Sequence, residues 1–271
     1  MNFRGLRLSR TLSLVERQVY LMRGSPARVV PLFGFVVLDI VLWGFLTKYL
    51  NTMSAGVDFL PTLLGAVVLW DFFARVMHGV TMAFFEDVWS RNFLNIFASP
   101  LTVGEYLAGQ VLSSIFTSAV GLVAMVLVSM LVFGLSFAAY GLMVVPFILV
   151  LFLFGIALGI LGASLVLRWG PAAEWFIWPI PALVAPFAGV FYPVATLPGW
   201  MHPIASVLPA SYVFEALRAI VLGGTVRPAS LLIGFVLACG YVAAAGWIFG
   251  RVHRHAVRTG LIARYSAETI T

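Results

Sequence analysis

The chain has 271 residues, of which 62% are hydrophobic and 10% are charged, with a mean hydropathy of +1.06 and a formal net charge of +6. A soluble domain has roughly a quarter of its residues charged, so this composition excludes a soluble protein and indicates an integral membrane protein. The apolar runs are long and do not alternate with polar residues, which favours membrane-spanning helices over the strands of an outer-membrane barrel.

The first predicted element is an amphipathic helix within residues 3–24. Arg7, Arg10 and Arg17 lie away from its apolar face. That face consists of side chains spaced alternately four and three apart, namely Leu8, Leu12, Val15, Val19 and Met22. A helix of this kind lies in the membrane interface, so residues 1–28 form an interfacial segment.

Six membrane-spanning helices are predicted after this segment. They cover residues 29–48, 59–85, 107–134, 140–167, 173–191 and 229–250. The expected fold is therefore all-α, with a six-helix transmembrane domain at 29–250 and a basic tail at 251–271.

Basic residues are distributed unequally between the two faces of this predicted topology. The two ends of the chain and the connections 86–106 and 168–172 hold twelve Lys and Arg, against three on the opposite face. The positive-inside rule then places both termini in the cytoplasm, in a multi-pass protein of the inner (plasma) membrane. The same rule explains the basic ends, so we expect no nucleic-acid partner.

Charged side chains lie inside the first two predicted spans. Asp39 and Asp71 are each about ten residues from a membrane boundary, near the midplane, where an ionised side chain costs roughly 2.5 to 3.5 kcal/mol. Asp71, Arg75 and His78 are spaced i, i+4, i+7 and share one helical face. We interpret these charges as the lining of a transport path or subunit interface, or as an ion pair that fixes helix packing.

The connection at residues 86–106 combines charge with an apolar helical face that ends at Ser99-Pro100. The face consists of Trp89, Phe93, Ile96 and Phe97. Thr102 and Glu105 then have the spacing of a capping box, which predicts the start of the third span. The short helix either meets a partner in the cytoplasm or rests on lipid headgroups.

The fifth predicted span carries three internal prolines and a cluster of aromatic side chains. The cluster consists of Trp175, Phe176, Trp178, Phe187 and Phe191. Aromatic faces stack on sugars or shelter acyl chains, which suits an amphipathic or glycan-bearing cargo. The alternative is an interfacial aromatic belt with core packing.

Residues 192–222 are too interrupted by proline to form one spanning helix and too apolar for an ordinary loop. Their prolines, at positions 193, 198, 203 and 209, limit helices to a few turns. This pattern predicts a re-entrant helical hairpin at the external face, which would act as a lid or gate.

Motifs for nucleotide hydrolysis and for enzyme chemistry are missing from the sequence. A phosphate-binding loop is glycine-rich and ends in a lysine that is followed by serine or threonine. The single lysine, Lys48, is followed by Tyr49, so the chain has no such loop. The two histidines of the basic tail, His253 and His255, are interpreted as solvated charge, so no metal site is predicted.

Three features together resemble the membrane subunit of the ABC-2 type ABC exporters, the permease family of lipo-oligosaccharide, lipid-linked polysaccharide and drug exporters. The first is the connection that contains Glu86, Ser99-Pro100-Leu101 and Glu105-Tyr106. The second is the hairpin with Tyr192-Pro193, Leu197-Pro198, Trp200, Pro209 and the pair Glu215 and Arg218. The third is the order of an interfacial helix and six spans over residues 3–250. The chain has Leu208 before Pro209, where the family usually has Asn or a similar residue.

The resemblance implies a dimer of two copies, each docked on a separate ATP-binding cassette subunit, with lipids around them. No cofactor is expected on this chain, and ATP and Mg would bind the partner ATPase. Coupling to that ATPase would fall on Glu86, Asp87, Trp89, Arg91, Phe93, Phe97 and Pro100. The external gate would comprise Tyr192, Pro193, Pro198, Trp200, Pro209, Glu215 and Arg218. The hypothetical path or interface comprises Asp39, Asp71, Arg75, Trp175, Trp178 and Phe187.

Two other functions remain open at the level of sequence. A secondary transporter or channel would use the midplane charges Asp39, Asp71 and Arg75. A membrane enzyme acting on lipid-linked substrates would need Glu215 or His202 as acid or base, and neither has an evident partner in the sequence.

Overall fold

A computed structural model describes residues 8–24, 26–53, 59–89 and 99–260, and within these ranges every regular element is helical. The long helices are α1 (Leu8–Arg23), α2 (Pro26–Met53), α3 (Gly65–Trp89), α4 (Val103–Phe133), α5 (Val144–Trp169) and α10 (Pro228–Thr259). Between the last two lie α6 (Glu174–Ile177), α7 (Ile180–Ala188), α8 (His202–Val207) and α9 (Pro209–Val221). A π-helical turn, Leu60–Leu64, leads into α3, and 3₁₀ turns cover Phe137–Met143, Pro171–Ala173, Val194–Thr196 and Gly199–Met201. The expected all-α class is confirmed.

The start and the end of α4 follow directly from local sequence. Glu105 N–H donates to Thr102 Oγ1 at 3.2 Å, and Thr102 N–H donates to Glu105 Oε2 at 2.8 Å. These two bonds satisfy backbone donors at the helix start, and the predicted capping box is confirmed. The helix ends at Gly134, whose φ of 74° is a left-handed conformation that glycine adopts without steric cost.

Helix α3 lies at the centre of the bundle. It packs against α4 on one side and α5 on the other, while α5 also packs against α10, and α1 and α2 lie against α4. Aromatic rings fill the interface between α3 and α5, where Phe73 stacks on Phe154 with ring centroids 5.2 Å apart. The core is therefore built around α3, which carries Asp71 and Arg75, two of the three predicted midplane charges.

Two glycines of α5 allow its backbone to approach α3 closely. A Cβ atom added at Gly155 would lie 3.0 Å from the carbonyl oxygen of Phe73, and one added at Gly159 would lie 2.7 Å from that of Met77. Thr81 then donates from Oγ1 to the carbonyl oxygen of Gly159 at 3.1 Å. Small residues four apart are a common means of close helix contact in membranes.

Four helical stretches of the described residues are long and apolar enough to cross a membrane, or five if one bent pair counts as a span. The four are Leu60–Val88, Val103–Phe133, Phe137–Trp169 and Pro228–Thr259. Helix α2 contains the predicted first span, but side chains in its first part lie outside the described residues. Six spans are therefore not confirmed.

The predicted fifth span, 173–191, is not one continuous helix. Helix α6 ends at Ile177, a turn follows at Trp178-Pro179, and α7 then runs to Gly189, which is left-handed with φ 61°. Hydropathy alone favours one span here, but prolines remove backbone donors and break the helix into short pieces.

The segment after α7 bends sharply, as the predicted hairpin requires. The helical stretch Gly199–Val207 and helix α9 differ in direction by 101°. The bend lies at Leu208, whose extended backbone precedes Pro209 at the first position of α9. The short helices of 192–222 thus form a bent pair.

Candidate functional site

Helix α1 binds the last turn of α3. The Arg17 guanidinium donates from Nη2 to Asp87 Oδ1, and Gln18 donates from Nε2 to Glu86 Oε2 at 3.2 Å. Residues 17 and 18 therefore contact the two acidic residues, Glu86 and Asp87, with which the predicted 86–106 connection begins.

Asp87 is the centre of this contact. Its side chain is only 1% exposed, yet its carboxylate accepts a bond from the Tyr106 hydroxyl at 2.7 Å and from Gln110 Nε2 at 3.0 Å. Gln110 also donates to the carbonyl oxygen of Ala83 at 3.3 Å. A buried carboxylate is tolerated only when it is paired and hydrogen-bonded, and here the partners come from α1 and α4. Asp87 thereby joins three helices.

Helix α1 also binds the start of α4, on the other side of residues 90–98. Arg10 Nη1 donates to the carbonyl oxygen of Pro100 and lies 3.7 Å from Glu105 Oε2. Between the two arginines, Leu14 packs so closely on Gly109 that an added Cβ atom would lie 2.5 Å from Leu14 Cδ1. One face of α1 thus contacts both flanks of the 90–98 segment.

This set of contacts, which we call the junction, comprises Arg10, Leu14, Arg17, Gln18, Glu86, Asp87, Pro100, Glu105, Tyr106 and Gln110. The sequence predicted Glu86, Asp87 and Pro100 as coupling residues, and all three lie in it. The coupling positions Arg91, Phe93 and Phe97 lie outside the described residues, as does the side chain of Trp89.

The sequence did not predict Arg17, Tyr106 or Gln110 as partners of Asp87. Helical periodicity assigned Arg17 to a polar face and gave no indication that this face meets protein. The available signal was a carboxylate near the end of an otherwise apolar helix, which needs a partner. The predicted apolar face is not the one that packs most closely on the bundle, because its member Leu12 is 49% exposed, whereas the buried Leu14 lies outside that face.

The midplane charges come together between α2, α3 and α4. Asp71 interacts with both Asp39 and Arg75. The Arg75 side chain packs over Gly121 of α4, where an added Cβ atom would lie 2.6 Å from its Nε. The three predicted charges are therefore neighbours within one copy of the chain.

The aromatic residues proposed for the path are not gathered in one place. Trp178 contacts His78 of α3, with ring centroids 4.6 Å apart, and Phe187 meets Trp200 of the bent segment at 6.3 Å. Trp175 is 83% exposed. The structure places Trp178 against His78, three residues after Arg75 on α3, and it places Phe187 against the hairpin.

The hairpin is held by a charged pair with backbone partners. Glu215 Oε1 accepts from the Val194 backbone N–H at 2.8 Å and from Arg218 Nη2 at 2.7 Å. Arg218 is buried and also donates from Nη1 to the carbonyl oxygen of Val190 at 3.3 Å. Tyr192 donates from its hydroxyl to the carbonyl oxygen of Pro186 at 3.0 Å. We call the contacts of Glu215 and Arg218 the latch, because they tie α9 to Val190, just before the hairpin, and to Val194, near its start.

The remaining predicted gate residues occupy the turns around the latch. Pro193 and Pro198 each precede a 3₁₀ turn, Trp200 lies in the second turn, and Pro209 begins α9. His202 Nε2 lies 3.0 Å from the carbonyl oxygen of Leu197, so this side chain serves the hairpin itself. Within the described ranges, no group of three His, Cys, Asp or Glu side chains is arranged to hold a metal ion.

A family model described as ABC-2 type transporter matches residues 10–222, which include the junction, the midplane charges and the hairpin. The chain belongs to the ABC-2 type transporter family. The comparison with curated proteins gives no match. Membership of this family, together with the apolar helices, makes the chain a multi-pass membrane permease of an ABC transporter, the transmembrane part without a nucleotide-binding cassette.

Proposed function

We propose that this ABC-2 permease is the membrane subunit of an ATP-driven exporter. It works as a dimer with two separate ATP-binding cassette subunits, which bind ATP and Mg. It moves an amphipathic substrate, such as a lipid-linked saccharide, a lipid or a drug, outward across the inner (plasma) membrane. In this proposal the chain has six spans, so both termini lie on one side, and the excess of Lys and Arg there supports the cytoplasmic side.

The observation that carries this proposal is the junction. Helix α1 contacts α3 just before residues 90–98 and α4 just after them, and Asp87 accepts donors from both α1 and α4. A force applied to the 90–98 segment by a partner therefore acts on three helices at once. Without these bonds α1 would not be tied to either end of the segment, and a displacement of the segment would reach only α3 and α4.

The packing of α3 extends this connection across the bundle. Gly155 and Gly159 bring α5 into backbone contact with α3, and α5 in turn packs against α10. Because closely packed helices shift as units, a displacement of α3 is transmitted to α5 and α10. We infer that ATP-driven closure of the partner subunits moves these helices together.

At the opposite end, the latch supports the proposed gate. The Glu215 carboxylate accepts from the backbone N–H of Val194, at the start of the hairpin, and from Arg218 on its own helix. Opening the exit would separate Val194 from α9 and break the first of these bonds. Glu215 is 46% exposed, so water can replace the lost partner at modest cost.

Aromatic side chains support an amphipathic cargo. Trp175, Phe176 and Trp178 are exposed where the broken fifth segment begins, and their faces suit sugar rings or acyl chains. An interfacial aromatic belt would expose the same residues, because rings that suit a cargo's sugars or acyl chains also suit membrane lipids. The cargo class is therefore proposed from the chemistry of these rings alone.

Site-specific crosslinking tests the coupling directly. Cys239 is the single cysteine, so Cys239→Ala gives a background on which Phe93→Cys or Thr196→Cys is introduced. With the chain expressed in its native membrane, we expect residue 93 to crosslink to a nucleotide-binding protein and residue 196 to give no such product. Equal labelling of both positions, or of neither, would contradict docking at the 90–98 segment.

Transport assays separate this proposal from a secondary transporter. We expect the chain to co-purify with an ATPase, and efflux from cells to stop when the phosphate-binding lysine of that ATPase is replaced. Efflux that continues under this change and collapses when the proton or sodium gradient is removed would instead assign the midplane charges to ion-coupled transport.

A further inference from the structure

The last turns of α10 carry basic side chains on one face. Arg251, Arg254, His255 and Arg258 follow the spacing i, i+3, i+4, i+7, and together they line an open cleft of about 350 Å³. All four side chains are exposed. The four described residues that line this cleft are all basic, and we call them the basic cleft.

Trp247 marks the position of this cleft relative to the membrane. It lies one turn before Arg251 and is 57% exposed, and the Arg251 guanidinium lies 4.4 Å from the centre of its ring. Exposed tryptophans at the end of a spanning helix belong to the membrane interface, where the ring meets the headgroups. At a rise of 1.5 Å per residue, Arg251 to His255 lie about 6 to 12 Å beyond Trp247, at the depth of the phosphates.

We propose that the basic cleft binds the phosphate of an anionic phospholipid in the leaflet around the end of α10. Guanidinium groups match phosphate oxygens in a two-bonded geometry, and three of them converge on one helical face here. Basic residues that follow a spanning helix directly are suited to anionic headgroups. The proposed function puts this end of α10 on the cytoplasmic side, so the choice of leaflet rests on that proposal. The binding of the phosphate does not depend on it.

Native mass spectrometry of the full chain in a neutral detergent measures the binding. The probes are phosphatidylglycerol and phosphatidylcholine with the same acyl chains. The test variant is Arg254→Gln with Arg258→Gln. The matched control, Arg168→Gln with Arg227→Gln, removes one exposed charge at the end of α5 and one at the opposite end of α10.

We expect the unmodified chain to prefer phosphatidylglycerol by about tenfold or more, on the scale of attraction that basic residues have for anionic lipid. The test variant should lose most of this preference and the control should keep it within about twofold. Replacing the same two arginines with lysine keeps the charge and the helix, and should retain the preference to within about threefold.

Three results would overturn the proposal. An equal loss in the test and control variants would mean that net charge alone attracts the lipid. Displacement of phosphatidylglycerol by an equal concentration of inorganic phosphate would assign the cleft to a soluble anion. Unchanged lipid preference in the test variant, with loss of a co-purifying ATPase, would assign the cleft to a protein partner.

Discussion

Replacing Asp87 with alanine should separate α1 and α4 from the end of α3. The change removes the acceptor of the Tyr106 hydroxyl and of Gln110 Nε2, both buried, and takes the negative partner from Arg17. Breaking a buried, hydrogen-bonded ion pair from one side typically costs about 3 to 5 kcal/mol. In a chain of this size we expect the thermal unfolding midpoint to fall by roughly 10 °C.

The neighbouring carboxylate provides the control. Glu86→Gln changes the same charge one residue earlier, where the side chain is half-buried and its hydrogen bond to Gln18 is 3.2 Å long. A pair of this kind contributes less than about 1 kcal/mol to stability. The unfolding midpoint of Glu86→Gln should therefore stay within a few degrees of that of the unmodified chain. The purified permease is measured by thermal unfolding in detergent, with Asp87→Asn as a variant of equal volume.

A double-mutant cycle then tests the contact itself. If Arg17 acts through Asp87, Arg17→Gln should cost little more once Asp87 is already asparagine, with a coupling energy of about 1 to 3 kcal/mol. In the assembled transporter, Asp87→Ala should lower the substrate moved per ATP more than it lowers ATP hydrolysis. The reasoning is refuted if Asp87→Ala is as stable as the unmodified chain, or if Glu86→Gln loses as much.

Three further changes test other parts of the structure. Gly159→Ala should cost about 1 to 3 kcal/mol, because its Cβ would press on the backbone of α3, whereas Gly240→Ala on α10, with open space around it, should be neutral or stabilising in the same thermal assay. Arg218→Ala should destabilise the permease more than Glu215→Gln, since Arg218 is buried and Glu215 half exposed; efflux that is unchanged in both variants would contradict a gating role for the latch. Arg75→Ala should impair folding, as judged by the amount of monodisperse protein, because it leaves Asp71 and Asp39 close together without a cation; normal assembly and normal efflux would remove any special role for Arg75.

Features that depend on neighbours along the chain could be predicted from the sequence. The capping box of Thr102 and Glu105 needs only a spacing of three, and the shared face of Asp71, Arg75 and His78 needs only the helical period. The bend before Pro209 follows from the restriction that proline places on the preceding residue.

Features that depend on helix packing could not be predicted in this way. Arg17 and Asp87 are 70 positions apart, and the period of α1 shows which face is polar but not what that face contacts. Hydropathy likewise treats 173–191 as one apolar run, whereas the structure ends α6 at Ile177, before Pro179, and starts α7 at Ile180. The close contact of Gly159 with α3 could be predicted only if the packing of α5 against α3 were already known.

The surroundings of the midplane charges favour a structural role over ion transport. Arg75 lies across Gly121 of its own chain, and Asp71 interacts with Arg75 and with Asp39 of α2. The three charges therefore lie together inside one bundle, and we propose that they help to fix the positions of α2, α3 and α4. An ion-coupled transporter needs such groups to change partners during each cycle. Here Arg75 could change partners only if α4 moved away, because the Arg75 side chain fills the space over Gly121. The junction, in contrast, lies next to the 90–98 segment, where a partner can act on it without disturbing this packing. These contacts best fit a division of roles in which a partner ATPase moves the junction and the midplane charges hold the helices of the bundle in place.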